Sequence, residues 1–181
     1  PTFEEYPNRC NKQEVVVYIP SNPDFSYRAS DVMSYYSDKK IDSLLIVNPD
    51  NPSGNFIPYT ELLSLCEWAG FRSIRLIVDE SFVDFAEDGL NSSLLYNEIL
   101  EQYPHLVVMK SISKSYGVPG LRLGVLASSD KSLVAFLKKD VSIWNINSFA
   151  EFYMQIFNKY EQDYKQACRL FFRGRVRFFV D

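Results

Sequence analysis

Three places in the sequence combine residue types that do chemistry together. Asn48-Pro-Asp-Asn51-Pro, Asp79-Glu80-Ser81 and Ser111-Ile-Ser113-Lys114-Ser115 each follow directly on a short apolar run, and Arg122 stands shortly beyond the last. A lysine set among hydroxyls and near an arginine is suited to act as an amine toward an aldehyde. An aspartate on a neighbouring element can hold a cationic ring nitrogen. Ser111, Ser113 and Arg122 offer hydroxyls and a planar fork to a phosphate. An amine for an aldehyde, an acid for a pyridinium and a cup for a phosphate describe a site for pyridoxal phosphate.

Each of these residues also has a plainer role open to it. Lysines are mostly solvated surface groups, but Lys114 lies in a small-residue loop between two apolar runs. Asp79 could cap a turn, although its place directly after Leu-Ile-Val favours a strand end. Asn51 is a natural turn former in Pro-Asp-Asn-Pro-Ser-Gly, and the two roles are compatible because the turn aims the side chain. Arg122 could be a surface ion-pair residue. Phe3 and Phe82 could be core aromatics in a chain that is 15% aromatic. Glu80 and Asp84 read as supporting or solvent-facing carboxylates.

The elements that must carry these groups alternate along the chain. Val15–Ile19 is a β-branched run ending at Pro20, and Tyr27–Tyr36 is helix-like. Leu44–Val47, Leu76–Val78 and Leu106–Met109 are short, fully apolar strands. The stretches Tyr59–Ala69 and Leu94–Tyr103 have helical spacing, the first between Pro58 and Gly70. Leu123–Leu126 is a further apolar run, and Ser132–Lys139 and Ala150–Tyr160 read as helices. Fully apolar strands alternating with helices imply a parallel sheet covered on both faces. Such sheets bind ligands at the carboxyl ends of their strands, where the Asn, Asp and Ser/Lys segments fall.

Composition removes other classes. A length of 181 residues fits one domain, or one with an appendage, and 46% hydrophobic residues can build a core. The formal net charge of −4 gives no reason to expect a nucleic-acid partner. No apolar run approaches the roughly 18 residues that span a membrane. Cys10, Cys66 and Cys168 are widely spaced, and His105 is the only histidine. These residues fit reduced thiols in the cytoplasm better than a zinc site or disulfide framework. His105, after Tyr-Pro at the entrance to an apolar run, reads as a strand-edge residue. No G-x-G-x-x-G follows any strand, which disfavours a Rossmann nucleotide site.

Asn48-Pro-Asp-Asn-Pro-Ser-Gly54, Val78-Asp-Glu-Ser-Phe-Val-Asp-Phe85 and Ser111-Ile-Ser-Lys-Ser-Tyr-Gly-Val-Pro-Gly-Leu-Arg-Leu-Gly124 resemble the motifs of the class I/II aminotransferases. These are fold-type-I pyridoxal-phosphate enzymes, and the nearest branch is that of histidinol-phosphate aminotransferase and threonine-phosphate decarboxylase. The resemblance implies a three-layer α/β/α, mostly parallel sheet with Leu123–Leu126 antiparallel. It implies Lys114 as the Schiff-base lysine and proton shuttle, and Asp79 as the partner of the pyridine nitrogen. Asn51 corresponds to the donor to the phenolic oxygen, and Ser111, Ser113 and Arg122 to the phosphate-binding positions. Phe3 corresponds to the aromatic stacked on the ring. Phe82 stands where many members carry a tyrosine, so one hydroxyl is missing there. The activity implied is amino-group transfer between an amino acid and a 2-oxo acid or related carbonyl compound by a homodimer. The alternatives are decarboxylation of a phosphorylated amino acid and an inactive fold module of a multidomain chain.

Residues 1–164 are expected to form the cofactor-binding large domain without its N-terminal part. Residues 165–181 are expected to be a helix leading toward a smaller C-terminal domain. That end carries Lys165, Arg169, Arg173, Arg175 and Arg177 against Asp181, with Phe171 and Phe172 between. Seven glycines leave no room for a glycine-rich phosphate cup. The expectation is that these residues alone bind the cofactor weakly and do not turn over substrate, although the parent is a transaminase-like enzyme.

Overall fold

The structure is a computed structural model that describes residues 2–11, 14–86, 89 and 91–180. Its centre is a four-stranded sheet of β1 (Ser43–Val47), β2 (Arg75–Asp79), β3 (Leu106–Ser111) and β4 (Gly124–Ala127), in that spatial order. The first three strands are parallel, and β4 runs antiparallel to β3. The register stacks like with like. Leu44, Leu76 and Leu106 lie in one row, and Ile46, Val78 and Val108 in another.

Those two rows face the main core. Against them lie α2 (Ala29–Tyr35) and α3 (Tyr59–Phe71), which contribute Ala29, Val32, Leu62, Leu65, Cys66 and Ala69. The four α3 residues are spaced i, i+3, i+4 and i+7, one stripe of a helix, and all four are fully buried. Burying a leucine side chain contributes about 1.5–3 kcal/mol. The helix stops where Ser73 takes a left-handed backbone (φ 56°) and Ile74 N–H reaches back to the Ala69 carbonyl at 2.9 Å. On the other face of the sheet, Val47 and Val107 are buried, and Leu45 and Ile77 are half-buried.

Three local expectations differ from the structure. The Val15–Ile19 run joins no sheet. Its Val16 and Val17 carbonyls instead accept from the hydroxyls of Tyr36 and Tyr35, and Ile19 is 73% exposed. The helix expected over Leu94–Tyr103 is only α4 (Asn97–Gln102). Leu94 is held before it by its N–H, which donates to the buried Glu80 carboxylate at 2.6 Å. The Ala150–Tyr160 helix is α7 (Ser148–Phe157), and a turn separates it from α8 (Glu161–Val180). Helix α8 therefore begins before the boundary expected at residue 165. Its Tyr164 stacks on Tyr116 at 4.3 Å, and its Phe171 meets Phe85 at 5.1 Å. Pro1 and Asp181 lie outside the described residues.

The remaining helices, α1 (Glu5–Arg9), α5 (Ile112–Ser115) and α6 (Lys131–Lys138), are short. Among the described residues no helix is long and apolar enough to cross a membrane, and no disulfide forms. His105 does sit at the entrance to β3, where its Nε2 lies 2.8 Å from the Cys66 carbonyl oxygen.

Candidate active-site cleft

The carboxyl ends of β2 and β3, with β4 alongside, border a cleft of about 490 Å³. Asp79 is the last residue of β2 and lies on its floor, 6% exposed. Its Oδ1 accepts from the Ser81 N–H at 2.9 Å and the Ser81 hydroxyl at 2.5 Å. Its Oδ2 accepts from the Tyr6 hydroxyl. Ser81 Oγ also accepts from the Ser111 N–H at 2.9 Å, which ties the end of β2 to the end of β3. Burial, then the bond to Asp79 and the charge of that carboxylate, pushes the Tyr6 phenol well above its usual range.

Lys114 leaves the sheet on α5, one helical turn beyond β3, and faces the cleft. Its Nζ lies 4.5 Å from the centre of the Phe82 ring and 5.2 Å from that of Phe3. Phe82 comes from the loop after β2 and Phe3 from the segment before α1, so two aromatic faces flank the amine. Thr2, beside Phe3, donates to Asp50 Oδ1 at 2.6 Å in the loop after β1.

Ser111 and Arg122 both line the cleft. Arg122 is exposed, has a left-handed backbone (φ 56°), and donates through Nη1 to the Pro119 carbonyl at 3.2 Å. Ser113 is placed differently. It is buried, is not among the residues that line the cleft, and its hydroxyl donates to the carbonyl of the cleft residue Leu123 at 3.3 Å. Asn51 is half-buried in the turn after β1 and is not among the residues that line the cleft. The buried asparagine that shapes that loop is Asn48, whose amide bonds both backbone groups of Ile57 at 2.8 and 3.0 Å.

Lys110 is a second amine close by, but it is committed elsewhere. It alternates with Ser111 along β3, so its side chain leaves the other face of the strand. There its Nζ pairs with Asp84 Oδ1 at 2.8 Å, and both side chains are nearly buried. Tyr6, Ser81 and Lys110 were not singled out from the sequence, and only the position of Tyr6 three residues after Phe3 pointed toward its role. A larger hollow of about 790 Å³ lies at the amino-terminal edge of the sheet, where Arg75 and Asp130 pair at 3.5 Å. It is separate from the residues above.

The donor set of the cleft fits pyridoxal phosphate. It offers an amine between two aromatic rings that pairs with no carboxylate among the described residues, a buried carboxylate, an exposed guanidinium and a hydroxyl. Comparison with known proteins agrees. The family model "Aminotransferase class I and II" matches residues 1–181. The CMP-5'-(3-aminopropyl)phosphonate synthase of Streptomyces rubellomurinus is 33% identical over 93% of this chain and 26% of its own. The L-serine phosphate decarboxylase of Sulfurospirillum multivorans is 30% identical over 98% of this chain and 46% of its own. The solved histidinol-phosphate aminotransferase of Clostridium acetobutylicum superposes with a TM-score of 0.81 at 28% identity, covering 99% of this chain and 52% of that one. The chain thus spans about a quarter to a half of the length of these proteins. It belongs to aminotransferase class I and II, a family of pyridoxal-phosphate enzymes with this mostly parallel α/β fold.

Proposed function

We propose that this chain carries the cofactor site of a decarboxylase acting on a phosphorylated amino acid. The observation that supports the reading most directly is the similarity to L-serine phosphate decarboxylase across 98% of the chain. When bound, pyridoxal phosphate supplies an electron sink for the pair left at the substrate Cα when a bond there breaks. The chain's own residues do the rest. Lys114 would hold the cofactor through its amine and, once the substrate amine had taken its place, would supply the proton that Cα takes up when carbon dioxide leaves. Asp79 accepts the ring N–H, and Phe3 covers one ring face. Ser111 and Arg122 take the phosphate, with Ser113 left to brace Leu123. Asn51 would be the donor to the phenolic oxygen only if the turn after β1 brought it to the cleft, which it does not line, and Phe82 adds an apolar wall without a hydroxyl there.

The second reading is amino-group transfer to a 2-oxo acid, supported by the likeness to histidinol-phosphate aminotransferase. In that case Lys114 would take the proton from the substrate Cα and serve as the acid that the transfer requires. A cytoplasmic homodimer is part of either reading. Free Cys10, Cys66 and Cys168 fit a reducing compartment, and the exposed Ile143, Trp144, Phe149 and Phe152 offer an apolar surface to a second copy.

Incubation with pyridoxal phosphate, L-serine phosphate and 2-oxoglutarate as amino acceptor, with carbon dioxide and the 2-oxo acid derived from serine phosphate both measured, decides between them. Release of carbon dioxide without that 2-oxo acid supports the decarboxylase. That 2-oxo acid formed in step with an aminated acceptor overturns it in favour of the transferase.

A further inference from the structure

We infer that Tyr6 is a positioning residue for the cofactor ring: its hydroxyl fixes Asp79 so that one acceptor position of the carboxylate is left facing the cleft for the ring nitrogen. The inference rests on the pyridoxal phosphate reading above. An ionised carboxylate has about four lone-pair sites. The Ser81 N–H and hydroxyl take those of Oδ1, and Tyr6 takes one on Oδ2. Asp79 is 6% exposed and lines the cleft, so the last position is reached from the cleft side. Both Asp79 and Tyr6 line the cleft, which places that position where a ring N–H would arrive.

The same contact acts on the stacking ring. Phe3 meets Tyr6 edge-on at 5.6 Å, with the planes at 81°. On its other side Thr2 is tied to Asp50 at 2.6 Å. Phe3 therefore hangs between two hydrogen-bonded neighbours, one fixed to the loop after β1 and one to the end of β2. The Tyr6 hydroxyl thus couples the residue beneath the ring nitrogen to the residue over the ring face. Helix α1, which carries Tyr6, buries none of its residues, so removal of one hydroxyl there leaves the core intact.

The test is a double-mutant cycle read by cofactor titration. Wild type, Tyr6→Phe, Asp79→Asn and the double variant are titrated with pyridoxal 5'-phosphate, and the visible absorbance is followed. Tyr6→Phe keeps the ring edge against Phe3 and releases Asp79 Oδ2, while Ser81 still holds Oδ1. It is expected to weaken cofactor binding about 3–10-fold, the scale of ordering one side chain, and to move the absorbance maximum. Both effects should disappear on the Asp79→Asn background. An unchanged affinity and spectrum in Tyr6→Phe would overturn the inference, and so would an equal loss with and without Asp79. Either result leaves the cofactor reading standing, provided wild type forms a borohydride-fixed adduct. Wild type that takes up no cofactor overturns both. Tyr6→Ala, which also removes the edge contact, should weaken binding further than Tyr6→Phe, and equal affinities would count against the hydroxyl acting through Phe3.

Discussion

Replacing Lys110 with methionine should strand a charge inside the protein. Lys110 Nζ lies 2.8 Å from Asp84 Oδ1, and the two side chains are 10% and 6% exposed. Among the described residues Asp84 Oδ2 accepts no hydrogen bond, and Lys110 is the cation paired with this carboxylate. Methionine nearly matches the length of the lysine stem and keeps the packing beside Tyr116, so the change isolates the charge. Removing one partner of a buried pair costs about 3–5 kcal/mol, whereas an exposed pair is worth about 0–1 kcal/mol. At about 2–4 °C per kcal/mol for a chain of this size, the melting temperature should fall by about 6–20 °C. Urea unfolding followed by circular dichroism measures the free energy directly. Lys110→Met combined with Asp84→Leu removes both charges and should recover most of the loss. A single-variant cost below about 1 kcal/mol, or a double variant no more stable than the single one, refutes the reasoning. The pair also bears on the chemistry. Because Lys110 is held on the far side of β3, cofactor labelling in Lys110→Met should be unchanged.

Lys114→Ala should abolish the borohydride-fixed pyridoxyl adduct seen by peptide mass spectrometry, while its exposed position limits the stability change to about 0.5 kcal/mol; an adduct on another lysine would sink the assignment. Glu80→Gln should flatten the acid side of the stability curve. Burial holds the Glu80 carboxyl above its usual range, partly offset by bonds from Ser93 and the Leu94 N–H. The folded state therefore binds that proton more tightly than the unfolded chain, and wild-type stability falls as pH rises from about 4.3 through the folded value. The difference between wild type and Glu80→Gln should show this fall, and a parallel pair of curves would contradict it. Leu65→Ala, at a fully buried position of α3, should cost about 2–5 kcal/mol in urea unfolding, and a cost under 1 kcal/mol would mean that the helix is not packed as described.

The rim of the sheet was legible because two signals coincide there. A fully apolar run of four or so residues marks a strand buried on both faces, and the first polar residue after it marks the carboxyl end. Asp79 and Ser111 could be placed on that basis before any contact was known. The Val15–Ile19 run carries the same composition without the same outcome. β-Branched residues fit a pleated, half-buried surface, but a strand also needs a partner edge, and Val15–Ile19 pairs with none among the described residues. The Leu94–Tyr103 pattern failed for a different reason. Its first turn was drawn off by Glu80, a contact fourteen positions away in sequence that no local periodicity records. Tyr6 was missed on the same ground, since its partner Asp79 lies 73 positions along the chain.

Ser111 and Ser113 show where motif reading stops and local geometry takes over. The motif places both serines in the loop that bears the lysine, and by residue type they are equivalent phosphate ligands. They differ in where α5 begins. Ser111 is the extended residue before the helix, at φ −80° and ψ 113°, and borders the cleft. Ser113 is inside the first helical turn, and a helix rotates about 100° per residue, as 3.6 residues complete a turn. Its side chain therefore swings away from Lys114 and under the chain that enters β4, where the Leu123 carbonyl takes the hydroxyl proton. The helix that presents the lysine to the cleft is the same helix that withdraws the neighbouring serine. On the proposed cofactor reading, Ser111 and Arg122 are the residues left to take a phosphate, and the Ser113 bond to the Leu123 carbonyl ties the start of β4 to α5.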